Sequence, residues 1–288
     1  MFQDAQQILS EFRSGKKSLE LCCYVAGAGA FGVFLRWLQL QLGFNELGLA
    51  DPSFLHIAVI LFVLATAVVF YSFISKFRKQ LLYLPDDFSG TFSNEGRWYL
   101  IARIAFGLLL CAGAALLYMQ TELDKYSADY RILSILGLLS GVAFPIWLGL
   151  ADRRPQAPAW LLCVLAFFPM LFLAAWIIVC YKMNTINSVL WSFVPELGAV
   201  AAAMFAFFRL GGFVFGRPQW SRCLFSCMFA ASLCLLSLAD ERYLGMQIIF
   251  AALALELMLC CWIMVRNFLI GEAPPKVQKS TGGFESLN

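Results

Sequence analysis

Charged residues are scarce in this chain: Asp, Glu, Lys and Arg make up 14% of its 288 residues, against roughly 25% in a soluble domain. Hydrophobic residues make up 61%, although even a large soluble domain leaves about a quarter of its unfolded surface exposed to water. This composition excludes a soluble globular protein and predicts an integral membrane protein covered by lipid. The net charge of +3 gives no basic footprint, so we expect no nucleic-acid partner.

Histidine is nearly absent, because His56 is the single imidazole of the sequence. One imidazole excludes bis-histidine haem ligation and the H-E-x-x-H zinc motif. The chain also lacks the G-x-S-x-G turn of hydrolases and the phosphate-binding loop of nucleotide-driven pumps. We therefore predict no catalytic residues, no metal and no cofactor. Any pumping would need an ion gradient or a partner ATPase.

The ten cysteines form no C-x-x-C pair, and all lie in or beside apolar segments. Disulfide frameworks belong to small secreted domains, and zinc sites need ligands at fixed spacing. We interpret these cysteines as small packing residues. They are Cys22, Cys23, Cys111, Cys163, Cys180, Cys223, Cys227, Cys234, Cys260 and Cys261.

Eight apolar segments are long enough to cross a bilayer, which takes roughly 20 helical residues. Backbone groups in lipid must be paired internally, and these segments exceed the about 9–11 residues of a barrel strand. We therefore predict an all-α fold, a polytopic membrane bundle of about eight transmembrane helices. The segments lie at about 19–42, 55–77, 97–119, 131–150, 158–181, 187–209, 220–239 and 244–268.

Lysine and arginine are distributed unevenly between the two sides of this bundle. Fifteen fall in the terminal segments and the even-numbered connections, whereas four fall in the odd-numbered connections. By the positive-inside rule, both termini are predicted to be cytoplasmic. The fifteen are Arg13, Lys16, Lys17, Lys76, Arg78, Lys79, Arg97, Arg153, Arg154, Arg209, Arg217, Arg222, Arg266, Lys276 and Lys279; the four are Lys125, Arg131, Lys182 and Arg242.

We place the transmembrane domain at residues 19–270. One segment precedes this domain, one long loop lies within it, and one segment follows it. Residues 1–18 have apolar side chains at three- and four-residue steps, which indicates an interfacial amphipathic helix; a frayed terminus is the alternative. The cytoplasmic loop at residues 77–97 is too apolar for a solvated linker, so we expect it to lie along the membrane or to cover a mouth of the bundle. Residues 271–288 have the composition of a disordered tail.

The stretch from Ser188 to Arg209 is long enough to span a bilayer, yet it contains Pro195 and Glu196. A proline inside a helix removes a backbone hydrogen bond, which here would free the carbonyl of Trp191 near the carboxylate. Broken helices of this kind form ion sites in transporters. We therefore expect the chain to be organised around this span, with Glu196 and Trp191 as candidate substrate-binding or ion-binding residues.

Four ionisable residues lie inside predicted spans: Arg36, Arg103, Glu196 and Glu256. A charge at a helix centre costs about 2.5–3.5 kcal/mol on insertion scales, so such residues face the bundle interior. Arg36 and Glu196 lie at matching depth, and the long side chain of Arg103 can extend toward Glu256. All four are candidate binding residues for a substrate or an ion. The alternative is structural: the pairs fix helix register, or the arginines snorkel to the interface.

Two short patterns recur along the chain. The tetrapeptide A-D-x-R starts at Ala128, Ala151 and Ala239, and the first and third copies occupy corresponding connections, as two parallel halves of a transporter would. A chance match is the alternative. Small residues four apart predict close helix contacts; these pairs are Ala28 with Gly32, Gly137 with Gly141, and Gly198 with Ala202.

These patterns favour a multi-pass transporter or permease-like protein in a prokaryotic plasma membrane, with a small molecule or an ion as substrate. The alternative is a non-catalytic subunit, anchor or sensor that docks a cytoplasmic protein partner at residues 77–97. A membrane enzyme acting on a lipid ranks third. The feature that discriminates between them is whether Glu196 and Glu256 face one water-accessible cavity.

Overall fold

The structure is a computed structural model that describes residues 2–44, 54–78, 88–94, 96–122, 126–152, 158–184, 193–217 and 219–270. Within these ranges the chain consists of helices joined by turns, and the predicted all-α class is confirmed. The helices are α1 (Phe2–Leu42), α2 (Phe54–Arg78), α3 (Phe88–Phe92), α4 (Arg97–Gln120), α5 (Ser127–Leu150), α6 (Ala159–Asn184), α7 (Val194–Gly211), α8 (Trp220–Leu236) and α9 (Leu244–Ile270). A 3₁₀ turn, Ser237–Ala239, follows α8.

Eight of these helices are long and apolar enough to cross a membrane, and the exception is the five-residue α3. Helices suit this role because each satisfies its own backbone donors and acceptors without water. The chain is a multi-pass helical membrane protein. Helix α1 has 41 residues, about 60 Å of helix against a hydrocarbon core of about 30 Å, and its span is the stretch Gly15–Leu42. The interfacial location of its first turns stays a prediction.

Successive spans connect at alternate ends of the bundle. We call the end with the α1–α2, α4–α5, α6–α7 and α8–α9 connections the outer end, and the end with α3 the inner end, after the orientation that the arginines and lysines predict. The cytoplasmic location of the termini stays a prediction. Residues 271–288 and residues 79–87 of the 77–97 loop lie outside the described residues.

Helix α9 occupies the centre of the bundle. It packs against α1, α4, α8 and the short α3, and 72% of its apolar span is buried, compared with 22–28% for α1, α2 and α4. Its sequence is apolar on every side, as expected of a helix surrounded by others. The expectation that the chain is organised around the Glu196 span is therefore wrong, because α7 packs mainly on its neighbours α6 and α8.

Glycine permits the closest approach of α4 and α5. A Cβ atom on Gly107 would lie 2.5 Å from the carbonyl oxygen of Gly141, so the two backbones touch. The predicted small-residue contact on α5 is confirmed at this position. Gly198 of α7 has open space around it, so the predicted contact there is wrong. The face of α7 that packs inward is the one that carries Ala199 and Ala203, which are fully buried.

Helix α3 packs on the inner end of the bundle. The ring of Phe92 lies 5.7 Å from that of Trp147 in α5, between centroids. Asn267 of α9 donates hydrogen bonds to the carbonyl oxygens of Thr91 and Ser93 at 2.9 and 3.0 Å. The described part of the 77–97 loop therefore packs against α5 and α9; that the loop covers a mouth of the bundle stays a prediction.

Candidate functional site

A chain of buried polar side chains crosses the outer end of the bundle. It joins α2, α1, the α8–α9 connection, α7 and α6, and none of its side chains is more than 12% exposed. Buried polar groups are costly unless they are hydrogen-bonded, so each member depends on its neighbours. In order, the members are His56, Gln39, Arg36, Asp240, Arg242, Glu196 and Trp176. We call them the outer polar network.

Glu196 enters this network from the first turn of α7, which begins at Val194. Pro195 occupies the same turn, where its missing N–H would have had no helical partner in any case. The proline therefore starts the helix and does not break it, so the predicted span at 187–209 is corrected to Val194–Gly211. Trp191 lies outside the described residues, and its role stays a prediction.

The two carboxylate oxygens of Glu196 have different partners. Oε1 accepts a hydrogen bond from the indole Nε1 of Trp176 in α6 at 2.6 Å, and Oε2 forms an ion pair with Arg242. The hydroxyl of Ser237 donates to the carbonyl oxygen of Pro195 at 3.3 Å, which ties the end of α8 to the start of α7. The position of Glu196 is therefore fixed by three neighbouring elements.

The α8–α9 connection supplies the centre of the network. Oδ1 of Asp240 accepts from Nε of Arg36 at 2.7 Å, and Oδ2 accepts from Arg242 at 3.0 Å. The side chain of Gln247 in α9 donates to the backbone carbonyl of Asp240 at 3.2 Å. Burial raises the pKa of Asp240, against the opposing effect of Arg36. Burial also lowers the pKa of Arg242 to about 10, which leaves its guanidinium protonated at neutral pH.

The end of the network opposite Glu196 joins α1 to α2. Arg36 is fully buried, and its Nη1 donates to Oε1 of Gln39 at 2.7 Å. The side-chain nitrogen of Gln39 lies 2.7 Å from Nδ1 of His56 in the first turn of α2. The sequence placed His56 at the outer end of the second span, and this is confirmed.

Arg36 and Glu196 thus belong to one network, as their matching depth predicted, but the predicted direct ion pair is replaced by a longer chain. Asp240 and Arg242 stand between them. From the sequence, Arg242 counts only among the charges of the connections, whereas the α8–α9 connection that contains it folds back over the end of the bundle. A signal was present, because Asp240 and Arg242 are the acid and base of the third A-D-x-R tetrapeptide.

The acidic residue of every A-D-x-R tetrapeptide pairs with a base on another helix. Besides Asp240, Asp129 lies 2.7 Å from Lys182 of α6, and Asp152 lies 2.8 Å from Arg103 of α4. Arg103 is therefore paired with Asp152 at the inner end. The prediction that Arg103 extends toward Glu256 is wrong. The tetrapeptides mark connections that are tied to a neighbouring span by an ion pair; an internal repeat stays a prediction.

Glu256 lies in the middle of α9 with no exposed surface. Among the described residues, neither of its carboxyl oxygens has a hydrogen-bond partner. Cys111 of α4 and Cys260 of α9 are close enough to interact with it electrostatically. An unpartnered carboxyl in such surroundings is destabilising, which makes Glu256 a candidate functional residue.

A cavity of about 680 Å³ opens at the outer end, between α5, α6, α7 and the start of α9. Its walls include Trp176, Glu196 and Arg242 of the network, and its volume is that of a typical small-molecule site. Trp176 lies roughly 12 Å along α6 from the end of that helix. The other lining residues are Tyr130, Val179, Cys180, Met183, Asn184, Glu241, Tyr243, Met246 and Gln247. We call this space the outer cavity. Glu256 does not line it, so Glu196 and Glu256 do not face one cavity, and any binding function of the outer cavity depends on Glu196 without Glu256.

Sequence reasoning missed Trp176, Arg242 and the two tyrosines of the outer cavity. Tryptophan and tyrosine are common at membrane interfaces, and eight tryptophans occur in this chain. The pattern around Trp176 therefore offered no signal. Its role depends on which residue of α7 lies opposite it, and that is a property of helix packing.

Comparison with models of protein families, with curated proteins and with solved structures finds no match to this chain. In the ranges that the structure describes, no group of three or more His, Cys, Asp and Glu side chains has the geometry of a metal site. The function of the outer cavity must therefore be inferred from the residues that line it.

Proposed function

We propose that this membrane protein is a transporter or permease-like protein of the plasma membrane whose outer cavity binds a small organic cation. The observation that carries the proposal is the wall of the outer cavity, where the carboxylate of Glu196 is held beside Trp176. A carboxylate removed from bulk water attracts a cation more strongly than one on the surface. A cation entering the cavity therefore meets a fixed carboxylate, for which it competes with Arg242.

The balance of charge in the outer cavity favours a cation. Among the described residues, the network and the cavity wall contribute the carboxylates of Asp240, Glu196 and Glu241 and the guanidinium groups of Arg36 and Arg242. Three acids against two bases leave one negative charge. Glu241 is exposed at the rim, where it can attract a cation before the cation reaches Glu196.

The aromatic residues of the outer cavity favour an organic cation over a bare metal ion. The rings of Tyr130 and Tyr243 pack edge to face with centroids 5.7 Å apart, and Trp176 lines the same space. Aromatic faces attract amines and quaternary ammonium groups by about 0.5–2 kcal/mol each. Metal ions instead need several oxygen, nitrogen or sulfur ligands arranged around one point.

Binding of a cation would rearrange the network. The cation competes with Arg242 for Glu196, and Arg242 retains Asp240 as a partner at 3.0 Å when it releases Glu196. The α8–α9 connection therefore has an empty and a loaded arrangement. Because that connection leads into the central helix α9, this change supplies a route from the outer cavity to the rest of the bundle.

The packing of α3 on the inner end supports alternating access. The outer cavity is open, while the inner end carries α3, whose Phe88 ring lies 4.7 Å from Trp147 and whose Phe92 ring lies 5.5 Å from Phe213, between centroids. Release of a solute to the inner side then requires displacement of α3. A docking role for the 77–97 loop is less well supported, because Phe88 and Phe92 pack into the bundle.

A binding screen with the purified protein tests this proposal. Thermal stability in detergent is measured with tetramethylammonium, choline and putrescine, and with glycine, acetate and glucose as zwitterionic, anionic and neutral probes. We expect at least one organic cation to raise the melting temperature and Glu196→Gln to abolish that effect. Uptake of that cation into vesicles containing the protein should likewise be lost in Glu196→Gln.

The matched control is Glu122→Gln, since Glu122 is an exposed carboxylate at the same end of the bundle and does not line the outer cavity. This variant should keep both the shift in melting temperature and uptake. Stabilisation by anions alone, or a cation response that survives in Glu196→Gln, would contradict the proposal.

A further inference from the structure

A groove on the membrane-facing surface lies between α6 and α7 at the inner end, far from the outer cavity. Its volume is about 840 Å³. Along α6 it runs from Cys163 to Met170, about 10 Å of helix, and it ends at the turn between α7 and α8. Its lining residues include Phe167, Phe208, Arg209, Phe215, Arg217 and Gln219.

The walls of the groove are apolar and exposed. Phe167 of α6 is 53% exposed, Phe208 of α7 is 59% exposed and Phe215 of the following turn is 67% exposed. In a protein that spans a membrane, such a surface on two spans is in contact with acyl chains. A concave surface of this kind holds one chain in place more firmly than a convex helix face does, because the chain touches two helices at once.

Three arginines gather at the inner mouth of the groove. Arg209 donates a hydrogen bond to Oε1 of Gln219, which lines the groove. Arg222 does not line the groove itself but donates to the same oxygen at 3.2 Å. Arg217 lines the groove beside them and is exposed. Among the described residues, none of the three arginines has an acidic partner, and the buried Nε of Arg209 has no hydrogen-bond acceptor.

The turn after α7 brings these cations together. Gly216 has a φ of +63°, a left-handed conformation that glycine adopts without strain. The backbone N–H of Arg217 then donates to the carbonyl oxygen of Gly212 at 3.1 Å, which turns the chain back over the end of the helix. Arg217 is thereby held at the mouth of the groove, next to Arg209.

We propose that this groove is a binding site for an anionic phospholipid, with the phosphate on Arg209, Arg217 and Arg222 and one acyl chain along Phe167 and Phe208. Guanidinium groups suit phosphate oxygens because their donors match the geometry of the acceptor. Arg209 and Arg222 share one neutral amide oxygen, and Arg217 is exposed beside them, so an external anion would balance their charge. The apolar groove next to these cations accommodates an acyl chain. A phospholipid supplies both in one molecule.

The location of the groove fits this ligand. The inner end is the predicted cytoplasmic end, and the cytoplasmic leaflet carries the anionic lipids that basic pockets between spans recognise. A soluble acidic protein would satisfy the arginines but would leave the phenylalanine walls to other lipids. The lipid site is independent of the proposed transport function, because it shares no residue with the outer cavity.

Lipid binding is measured on the full-length protein in detergent, by native mass spectrometry and by thermal stability. Phosphatidylglycerol and phosphatidylcholine with identical acyl chains are compared, and glycerol phosphate serves as a headgroup without chains. We expect phosphatidylglycerol to bind more tightly than phosphatidylcholine and to raise the melting temperature more.

Each arginine near an anionic lipid raises the binding affinity about fivefold, so the double variant Arg217→Gln with Arg222→Gln should weaken binding about 25-fold. Because both side chains are exposed, this double variant should fold normally.

Arg266→Gln is the control. Arg266 lies over the ring of Trp262 at 5.3 Å, as Arg209 lies over that of Phe205 at 4.7 Å. Among the described residues, Arg266 neither lines the groove nor forms a hydrogen bond with the lining residue Gln219. The control variant should bind phosphatidylglycerol as the wild type does. The proposal is overturned if the two lipids bind equally, if Arg266→Gln weakens binding as much as the double variant, or if glycerol phosphate alone gives the full effect. Absence of lipid binding would favour a soluble acidic partner.

Discussion

The indole nitrogen of Trp176 lies 2.6 Å from Oε1 of Glu196, and this hydrogen bond joins the middle of α6 to the first turn of α7. On the other side of the carboxylate, Arg242 connects it to Asp240 and Arg36. If Trp176 faced lipid, Arg242 would be the one remaining partner of the Glu196 carboxylate. The contact therefore explains how a carboxylate can stand in the wall of the outer cavity without being buried alone.

Trp176→Phe keeps an aromatic ring but removes the donor to Glu196. A hydrogen bond to a charged group contributes about 1.5–3 kcal/mol, so we expect the free energy of unfolding to fall by about that amount, measured by denaturation in detergent. Trp160→Phe on the same helix is the control, because Trp160 is 68% exposed. Equal losses in the two variants would show that the indole N–H of Trp176 contributes nothing.

The ion pair between Arg36 and Asp240 should appear as a coupling energy. Arg36→Leu removes one of the two basic partners of Asp240, and Asp240→Leu removes a buried acidic partner of Arg36, so each change should cost about 3–5 kcal/mol. The double variant should be milder than the sum, as measured by a double-mutant cycle of unfolding free energies. A cycle of Arg36 with Glu196 should give a smaller coupling, since Asp240 and Arg242 lie between them. Additivity in the first cycle would contradict the observed contact.

Glu256→Leu should make the protein more stable. Because no described group pairs with this carboxyl, its replacement by an apolar side chain of similar size should raise the free energy of unfolding by about 1–3 kcal/mol. As a candidate ion-binding residue, Glu256 should also be needed for uptake, so the stabilised variant should be inactive in the vesicle assay. Met258→Leu on the same helix should change neither property. A less stable Glu256→Leu variant would mean that the carboxyl has a partner.

Phe92→Ala should weaken the packing of α3 on the inner end. Phe92 is fully buried against Trp147 and Phe213, and truncation of a buried phenylalanine costs about 3–5 kcal/mol. The measurement is again thermal or denaturant unfolding in detergent. Phe208→Ala, at a position 59% exposed, should cost far less in the same detergent. Similar losses would mean that α3 does not pack as the structure describes.

The orientation of the chain can be checked at Ser280, which lies outside the described residues. A Ser280→Cys variant should gain no labelling by a membrane-impermeant thiol reagent in intact cells, relative to the wild type, and should gain it once the cells are opened. This follows from the fifteen lysines and arginines on one side and four on the other. Additional labelling of intact cells would reverse the assignment of the outer and inner ends.

Part of the outer polar network was predictable from the sequence. Arg36 and Glu196 stand out because charges inside apolar segments are rare, and their distance from the segment ends gives their depth. Their partners were not predictable in this way. Asp240 and Arg242 lie in a polar connection, where charged residues are common. Counting residues from the end of a span gives the depth of a residue in the membrane, but it does not show that a connection turns back over the bundle.

The sequence by itself determined that the chain crosses the membrane with eight helices, because length and hydropathy are local properties and a bilayer leaves the backbone no other way to satisfy its hydrogen bonds. It also predicted that Glu256 faces the bundle interior, because a charge that faces lipid is costly. Only the tertiary structure decided that α9 is the central helix, that Pro195 begins a helix, and that Glu196 shares Arg242 with Asp240. These features depend on which helices are neighbours and on how closely they pack, and such contacts join residues far apart in the chain.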